Sequence, residues 1–226
     1  MNANINEVFL SIQGEGLLLG KRQIFIRFSG CNLRCDFCDT KYAQNKAKEC
    51  VVFDEKIKNP ISPSLLHNII RKKAPFHSIS LTGGEPLLQA DFIKEFLYFK
   101  EYFVYLDTNG SLPDEFEKIK GLIDLVSMDI KLPSSTKEKP LWKEHKKFLK
   151  KISNGFVKMV ITNETSKDDF LEGIGIIKDT DFKIPLVIQP DGNVAFDRLF
   201  SFQKMALERL SDVRIIPQIH KILGIR

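Results

Sequence analysis

The sequence predicts an α/β fold, a largely parallel sheet curled into an incomplete β/α barrel within a single domain spanning 1–226. Three observations predict it. Short β-branched and aromatic runs alternate with longer stretches of helical periodicity, the pattern of strand–helix–strand units. Polar motifs fall directly after the strands, as they do where the carboxyl edge of a parallel sheet carries a site. The 226 residues, 43% of them hydrophobic and undivided by any Gly/Ser- or Pro-rich linker, are enough for one well-buried domain.

Strands are expected at 24–29, 78–81, 102–107, 125–129, 156–161, 185–188 and 213–216. Helices are expected at 64–73, 87–100, 166–177 and 196–210, where apolar residues recur at helical spacing. Phe92, Phe96 and Phe99 share one helix face, and Phe196, Leu199, Phe200, Met205 and Leu207 share another with some scatter; both read as core. Segment 41–62, polar around Cys50, Val51, Val52 and Phe53, interrupts the alternation and is expected to form a hairpin covering the loop of residues 30–40. The polar motifs then follow in order: a cysteine loop, Thr82–Pro86, Asp107–Gly110, Asp129–Lys131, Thr162–Glu164, Gln189–Gly192 and Pro217–His220.

Charge narrows the function. Residues 137–151 hold seven lysines against two glutamates, which accounts for the whole net charge of +5. A nucleic-acid-binding surface would spread basic residues over several elements, so none is expected. The lysine segment reads first as a solvated helix face. A second reading is a docking patch for an acidic electron donor such as flavodoxin, with charge speeding the encounter. No apolar run approaches the roughly 20 residues that span a bilayer, and the N-terminus lacks the features of a secretory leader. A cytoplasmic protein is expected.

The loop after the apolar run Ile24–Phe28 carries Cys31, Cys35 and Cys38. Three thiolates from one loop can hold three irons of a 4Fe–4S cluster, whereas a cluster used only for electron transfer normally takes four cysteines. Three leave one iron open, as a cluster must to bind and reductively cleave S-adenosylmethionine (SAM). The rival reading is structural zinc with Cys50 as fourth ligand. Zinc ribbons present two C-x-x-C pairs and this chain has no second pair, which favours the cluster and leaves Cys50 as a small residue in a half-buried strand. Four cysteines without a leader fit a reducing cytosol rather than a disulfide scaffold.

The stretch Phe9–Gly16, with its Ser11-Ile12-Gln13-Gly14-Glu15-Gly16 core, then Phe25-Ile26-Arg27, then Gly30-Cys31-Asn32-Leu33 through Cys35, Cys38, Asp39 and Thr40, resembles the 7-carboxy-7-deazaguanine synthase family of radical SAM enzymes. Weaker similarity runs to the last residue. The resemblance implies the partial barrel of the radical SAM type. It also implies ring contraction of 6-carboxy-5,6,7,8-tetrahydropterin to 7-carboxy-7-deazaguanine with loss of ammonia, on the route to queuosine-type 7-deazapurines. The implied cofactors are a 4Fe–4S cluster, SAM and Mg²⁺; a homodimer is implied as well.

Residue roles follow from the same resemblance. Gly84, with Gly83 and Glu85, would meet the methionine ammonium of SAM, the glycines allowing close backbone approach. Phe37, Cys38 and Asp39 would lie against the adenine, with Ser127, Asp129, Lys131 and Gln189 as ribose or adenine contacts. Arg27 would grip the substrate carboxylate through paired hydrogen bonds. Ile12, Gln13 and Gly14 would contact the pterin, Glu15 would accept its 2-amino and ring N–H donors, and Thr82 would add a contact. Thr40 would ligate Mg²⁺, which takes hard oxygen ligands and completes its shell with substrate. In the tail 217–226, Gln218, His220 and the terminal carboxylate of Arg226 would reach the substrate. Asp107 stands where the family has glutamate, and the lysine-rich segment is also a departure. A glycyl-radical activating enzyme shares the cysteines and the Gly-Gly-Glu motif but not Ile12–Glu15, Thr40 or the tail. No protein acid or base is assigned.

Overall fold

A computed structural model describes residues 1–73, 75–98, 100–180 and 183–225. The strands are β1 (Ile5–Ile12), β2 (Arg22–Phe28), β3 (Glu49–Val52), β4 (Glu55–Lys58), β5 (Ser78–Gly83), β6 (Phe103–Thr108), β7 (Leu125–Asp129), β8 (Gly155–Ile161), β9 (Leu186–Pro190) and β10 (Val213–Ile215). The helices are α1 (Pro63–Arg71), α2 (Ala90–Phe96), α3 (Pro113–Glu117), α4 (Pro133–Thr136), α5 (Trp142–Leu149), α6 (Lys167–Lys178), α7 (Phe196–Leu207) and α8 (Ile219–Leu223). All ten strands join one open sheet in the order β10-β9-β8-β7-β6-β5-β2-β1-β3-β4. From β2 to β10 every pairing is parallel, while β1 lies antiparallel to β2. The incomplete barrel is thereby borne out.

Period-2 alternation divides the sheet into two unlike faces. One carries Ile24, Ile26, Ile79, Leu81, Val104, Leu106, Val126, Met128, Val157, Met159, Leu186 and Ile188, all buried in the main core with the helices. The other is apolar only at its base, where Tyr105, Leu125, Phe156 and Val187 pack with Leu17, Leu18 and Ile216. Two residues farther along the same strands stand Asp107, Lys158 and Gln189, with Asp129 level with Lys158. An apolar plug therefore closes the bottom of the barrel and a polar layer lies above it, at the carboxyl edge.

Every expected strand is present to within a residue or two, the ordinary scatter of such boundaries. The hairpin expected over 41–62 differs: β3 and β4 extend the sheet beyond β1, and it is the short 3₁₀ turn Lys41–Gln44 that meets the cysteine loop, through Gly30 N–H to the Ala43 carbonyl and Cys31 N–H to the Gln44 carbonyl. Cys50 lies on the buried side of β3, a half-buried strand as expected. On α7 the buried face is Leu199, Phe202 and Ala206, whereas Phe196 and Phe200 are 68% and 57% exposed. Phe99 lies outside the described residues. Among those described, no helix is long and apolar enough to cross a membrane.

Candidate active site

A cavity of about 470 Å³ opens at the carboxyl edge. Its wall includes Cys31, Cys35 and Cys38, and with them Ile12, Gln13, Gly14, Glu15, Arg27, Phe37, Asp39, Thr40, Thr82, Gly83, Gly84, Asp129, Lys131, Gln189, Gln218 and His220. Residues scattered from position 12 to 220 thus meet in one space because each follows or ends a strand.

The cysteine loop is held from three sides. Glu85 N–H donates to the Gly30 carbonyl at 2.8 Å and Gly84 N–H to the Phe28 carbonyl at 3.0 Å. Asn32 bonds Ser111 at 2.8 Å and receives Asn109 Nδ2 at 3.0 Å. Asp36 N–H donates to the Thr136 carbonyl at 3.0 Å. Burial pushes the Cys31 thiol up and the Cys35 thiol to about 11, so both stay protonated until a metal takes the proton's place. Among the described residues no three of His, Cys, Asp and Glu gather about a single ion. Three thiols that each ligate a different iron need not converge that way, and the all-sulfur donor set fits a cluster.

A buried charge network forms the polar layer. Lys158, 6% exposed, donates to Glu15 at 2.7 Å and pairs with Asp107 at 3.5 Å and Asp129 at 3.6 Å. Burial alone would lower the Lys158 pKa, but Asp107, Glu15 and Asp129 raise it well above the ordinary value. Burial alone would likewise raise the pKa of Glu15; the Lys158 charge and hydrogen bonds from Gln218 and Lys158 lower it to about 2. Lys131 bonds Asp129 at 2.8 Å and stands over the Phe37 ring at 5.4 Å. Ser80 Oγ, Asp129 Oδ1 and Gln189 Oε1 are buried and, among the described residues, have no hydrogen-bond partner, although their residues line the cavity. Buried polar atoms are nearly always paired, so these three point to a ligand rich in donors.

Arg27 donates its Nε to Glu7 at 2.7 Å, and the guanidinium lies over the Phe9 ring at 5.5 Å. Tyr42 donates to the same Glu7 oxygen at 2.6 Å. Among the described residues the two Nη groups of Arg27 have no hydrogen-bond partner, and Arg27 lines the cavity. Thr40 lies 3.8 Å from the Cys38 sulfur, and its side chain does not cap the turn that follows. The tail crosses the cavity as α8: Ile219 N–H donates to the Gly14 carbonyl at 3.0 Å, and His220 approaches Asp39 at 3.9 Å.

Several expected residues sit elsewhere. Glu85 is fully buried beneath the wall, where its carboxylate accepts from Thr108 Oγ1 and the backbone of Asn109 and Leu87. It braces the Asn109 loop and does not line the cavity. Ser127 is fully buried and does not line the cavity; it pairs with Asp107 on one side and with Phe156 of the apolar plug on the other. Gln13 reaches the wall, but its side chain is spent on Gln23 and the Glu15 N–H. A Cβ on Gly83 or Gly84 would lie 2.4 Å from Phe28 backbone or 2.1 Å from the Gly30 oxygen, so these glycines let two backbones approach each other. Arg226 lies outside the described residues. Sequence reasoning missed Lys158, Glu7 and Tyr42. Lys158 carried a signal, since it shares strand parity with Phe156 in a run of buried residues.

Comparison with known proteins agrees with this geometry. The sequence model of the radical SAM superfamily matches residues 25–192. A 7-carboxy-7-deazaguanine synthase of Geobacter sulfurreducens is 38% identical, covering 98% of this chain and 97% of that protein. The one of Archaeoglobus fulgidus is 34% identical over the full length of both. The crystal structure of QueE from Escherichia coli shares the fold, with a TM-score of 0.67 at 20% identity over 94% of this chain and 93% of that one. On its sequence, its fold and its cysteine loop, the chain belongs to the radical SAM superfamily and, within it, to the 7-carboxy-7-deazaguanine synthase family.

Proposed function

We propose that this protein contracts the ring of 6-carboxy-5,6,7,8-tetrahydropterin to 7-carboxy-7-deazaguanine, with loss of ammonia, in the biosynthesis of queuosine-type 7-deazapurines. One observation carries the reading: the three cysteines, the unpaired polar atoms of β5, β7 and β9, and the Glu15–Arg27–His220 set share a single cavity. Cys31, Cys35 and Cys38 would hold a 4Fe–4S cluster, which would pass to SAM the electron that makes it a radical source.

The rest falls to the chain's own residues. Phe37, Asp39 and the backbone of Gly83 and Gly84 line the SAM side, with Asp129, Lys131 and Gln189 offering polar partners to its ribose and adenine. Arg27, oriented by Glu7, takes the pterin carboxylate on its free Nη groups. Thr40, whose hydroxyl meets the Cys38 sulfur at 3.8 Å, offers that oxygen to Mg²⁺ beside the carboxylate. Ile12, Gly14 and Thr82 wall the ring, and α8 with His220 excludes water. The domain is one unit over 1–226, working in the cytoplasm as a homodimer and reduced by an acidic donor such as flavodoxin.

The test is anaerobic turnover of cluster-loaded protein with dithionite, SAM, Mg²⁺ and the pterin, read by mass spectrometry. A pterin-derived product lighter by ammonia, formed with SAM largely unconsumed, is expected. SAM cleavage without any such product would sink the substrate assignment. Omitting Mg²⁺ in the presence of chelator is expected to lower the rate; indifference would remove Thr40 from the metal role. Light scattering of the loaded enzyme decides the dimer.

A further inference from the structure

We propose that Lys158 is a positioning residue which, with Gln218, fixes the Glu15 carboxylate as a clamp for the 2-amino-4-oxo edge of the ring from substrate through to product. The inference rests on the synthase reading above. Each Glu15 oxygen is engaged by the protein once: Lys158 Nζ donates to Oε2 at 2.7 Å and Gln218 Nε2 to Oε1 at 2.7 Å. A carboxylate oxygen has a second lone pair. A ligand edge with two parallel N–H donors, the 2-amino group and the adjacent ring N–H, therefore meets two acceptors already aligned, as in a bidentate guanidinium–carboxylate pair. Glu15, Lys158 and Gln218 all line the cavity.

The clamp is electrostatically closed. The buried Lys158 ammonium meets Glu15 at 2.7 Å, Asp107 at 3.5 Å and Asp129 at 3.6 Å, so it is nowhere an unpaired buried charge, and Lys131 shares Asp129 at 2.8 Å. The Lys158 charge also keeps Glu15 ionised at neutral pH, its carboxyl held at about 2, and only the ionised form accepts on both oxygens. Ring contraction rearranges the side of the ring that bears the carboxylate and leaves the pyrimidine edge unchanged. An anchor on the unchanged edge holds the molecule in place while the reacting side moves. Because the clamp grips substrate and product alike, it acts on binding rather than on the barrier.

The test measures binding of 7-carboxy-7-deazaguanine and of its 2-desamino analogue to the cluster- and SAM-loaded enzyme by calorimetry. Wild type is expected to prefer the amino compound by roughly 100-fold or more. K158Q is expected to cut that preference by about tenfold, chiefly through weaker binding of the amino compound. In turnover, K158Q is expected to raise KM for the pterin about tenfold with kcat changed by no more than about twofold. Equal weakening of both compounds, an unchanged preference, or a loss confined to kcat overturns the proposal. Should K158Q fail to fold, Gln218→Leu, at a half-buried position before α8, carries the same comparison from the other oxygen. A wild-type enzyme that does not convert the pterin defeats the synthase reading; one that converts it but binds both compounds alike defeats only the clamp.

Discussion

At the residue scale, atoms that are missing matter as much as those present. A Cβ on Gly84 would lie 2.1 Å from the Gly30 oxygen and 2.8 Å from the Ala43 oxygen, both rigid backbone. The G84A substitution is therefore expected to displace the cysteine loop, at an overpacking cost of about 1–3 kcal/mol. Iron and sulfide per chain should fall by about half or more; retention of the wild-type content would show that the loop yields freely. Glu15 makes a prediction about pH. Its carboxyl lies at about 2 in the folded chain against an ordinary 4.5, so between those values the unfolded chain binds the proton that the folded one refuses. Its stabilisation is thus complete above pH 4.5 and lost as pH falls toward 2, on the order of 3 kcal/mol in all. Urea unfolding of the apoprotein and of its E15Q variant should give stabilities that differ by a constant amount above pH 4.5 and converge as pH falls toward 2; a difference unchanged between about pH 5 and pH 2 would contradict the shift. The cysteines, Thr40 and Arg27 were legible because their motif is short and contiguous. Lys158 was not, because a lone lysine in a strand usually points to water, and only the three carboxylates brought by β6, β7 and the loop after β1 make its burial tolerable.

At the element scale, the strands between β2 and β10 were readable because fully buried β-branched runs have few alternatives. β1 escaped notice since Asn6, Glu7 and Ser11 break its apolar run, although Glu7 serves Arg27. Helices α3, α4 and α8 span four or five residues, too few to show a period. The face of α7 was misread because it has two apolar sides, and the sheet takes the one bearing Leu199, Phe202 and Ala206. α8 matters most for function. It contributes no buried residue to the core, yet it bonds Gly14 and, through Gln218 at its N-cap, Glu15. Ending the chain after Ile216 is accordingly expected to change Tm by no more than a few degrees while lowering kcat/KM for the pterin about 100-fold or more. Iron content should stay at the wild-type level. Loss of the cluster on truncation would instead make the tail a structural part of the cysteine loop.

At the scale of the whole molecule, the excess charge lies beside the loop that would hold the cluster. The end of α4 contacts that loop through the Thr136 carbonyl and Asp36 N–H at 3.0 Å, and Glu138 accepts from Arg34 N–H. The lysines that follow divide into two groups. Lys137 pairs with Glu164 at 3.8 Å, Lys146 is tied to Asp179, and Lys151 to Asp114 and Glu117. Lys139, Lys143, Lys147 and Lys150 are exposed and, among the described residues, make no ion pair. Exposed unpaired charge stabilises a fold little, but it raises the rate at which an oppositely charged protein finds its site, and salt screens that effect over about 10 Å. Reduction of the loaded cluster by flavodoxin should therefore slow about tenfold between low ionic strength and 0.3 M salt. The triple variant K139E/K143E/K147E should lose about as much at low salt and show a flat salt dependence. Dithionite, a small anion that needs no docking face, should reduce both proteins at rates within about twofold of each other. If flavodoxin reduces wild type and variant equally at every salt concentration, the lysines are only a solvated helix face, and the electron must enter from another side of the barrel's carboxyl edge.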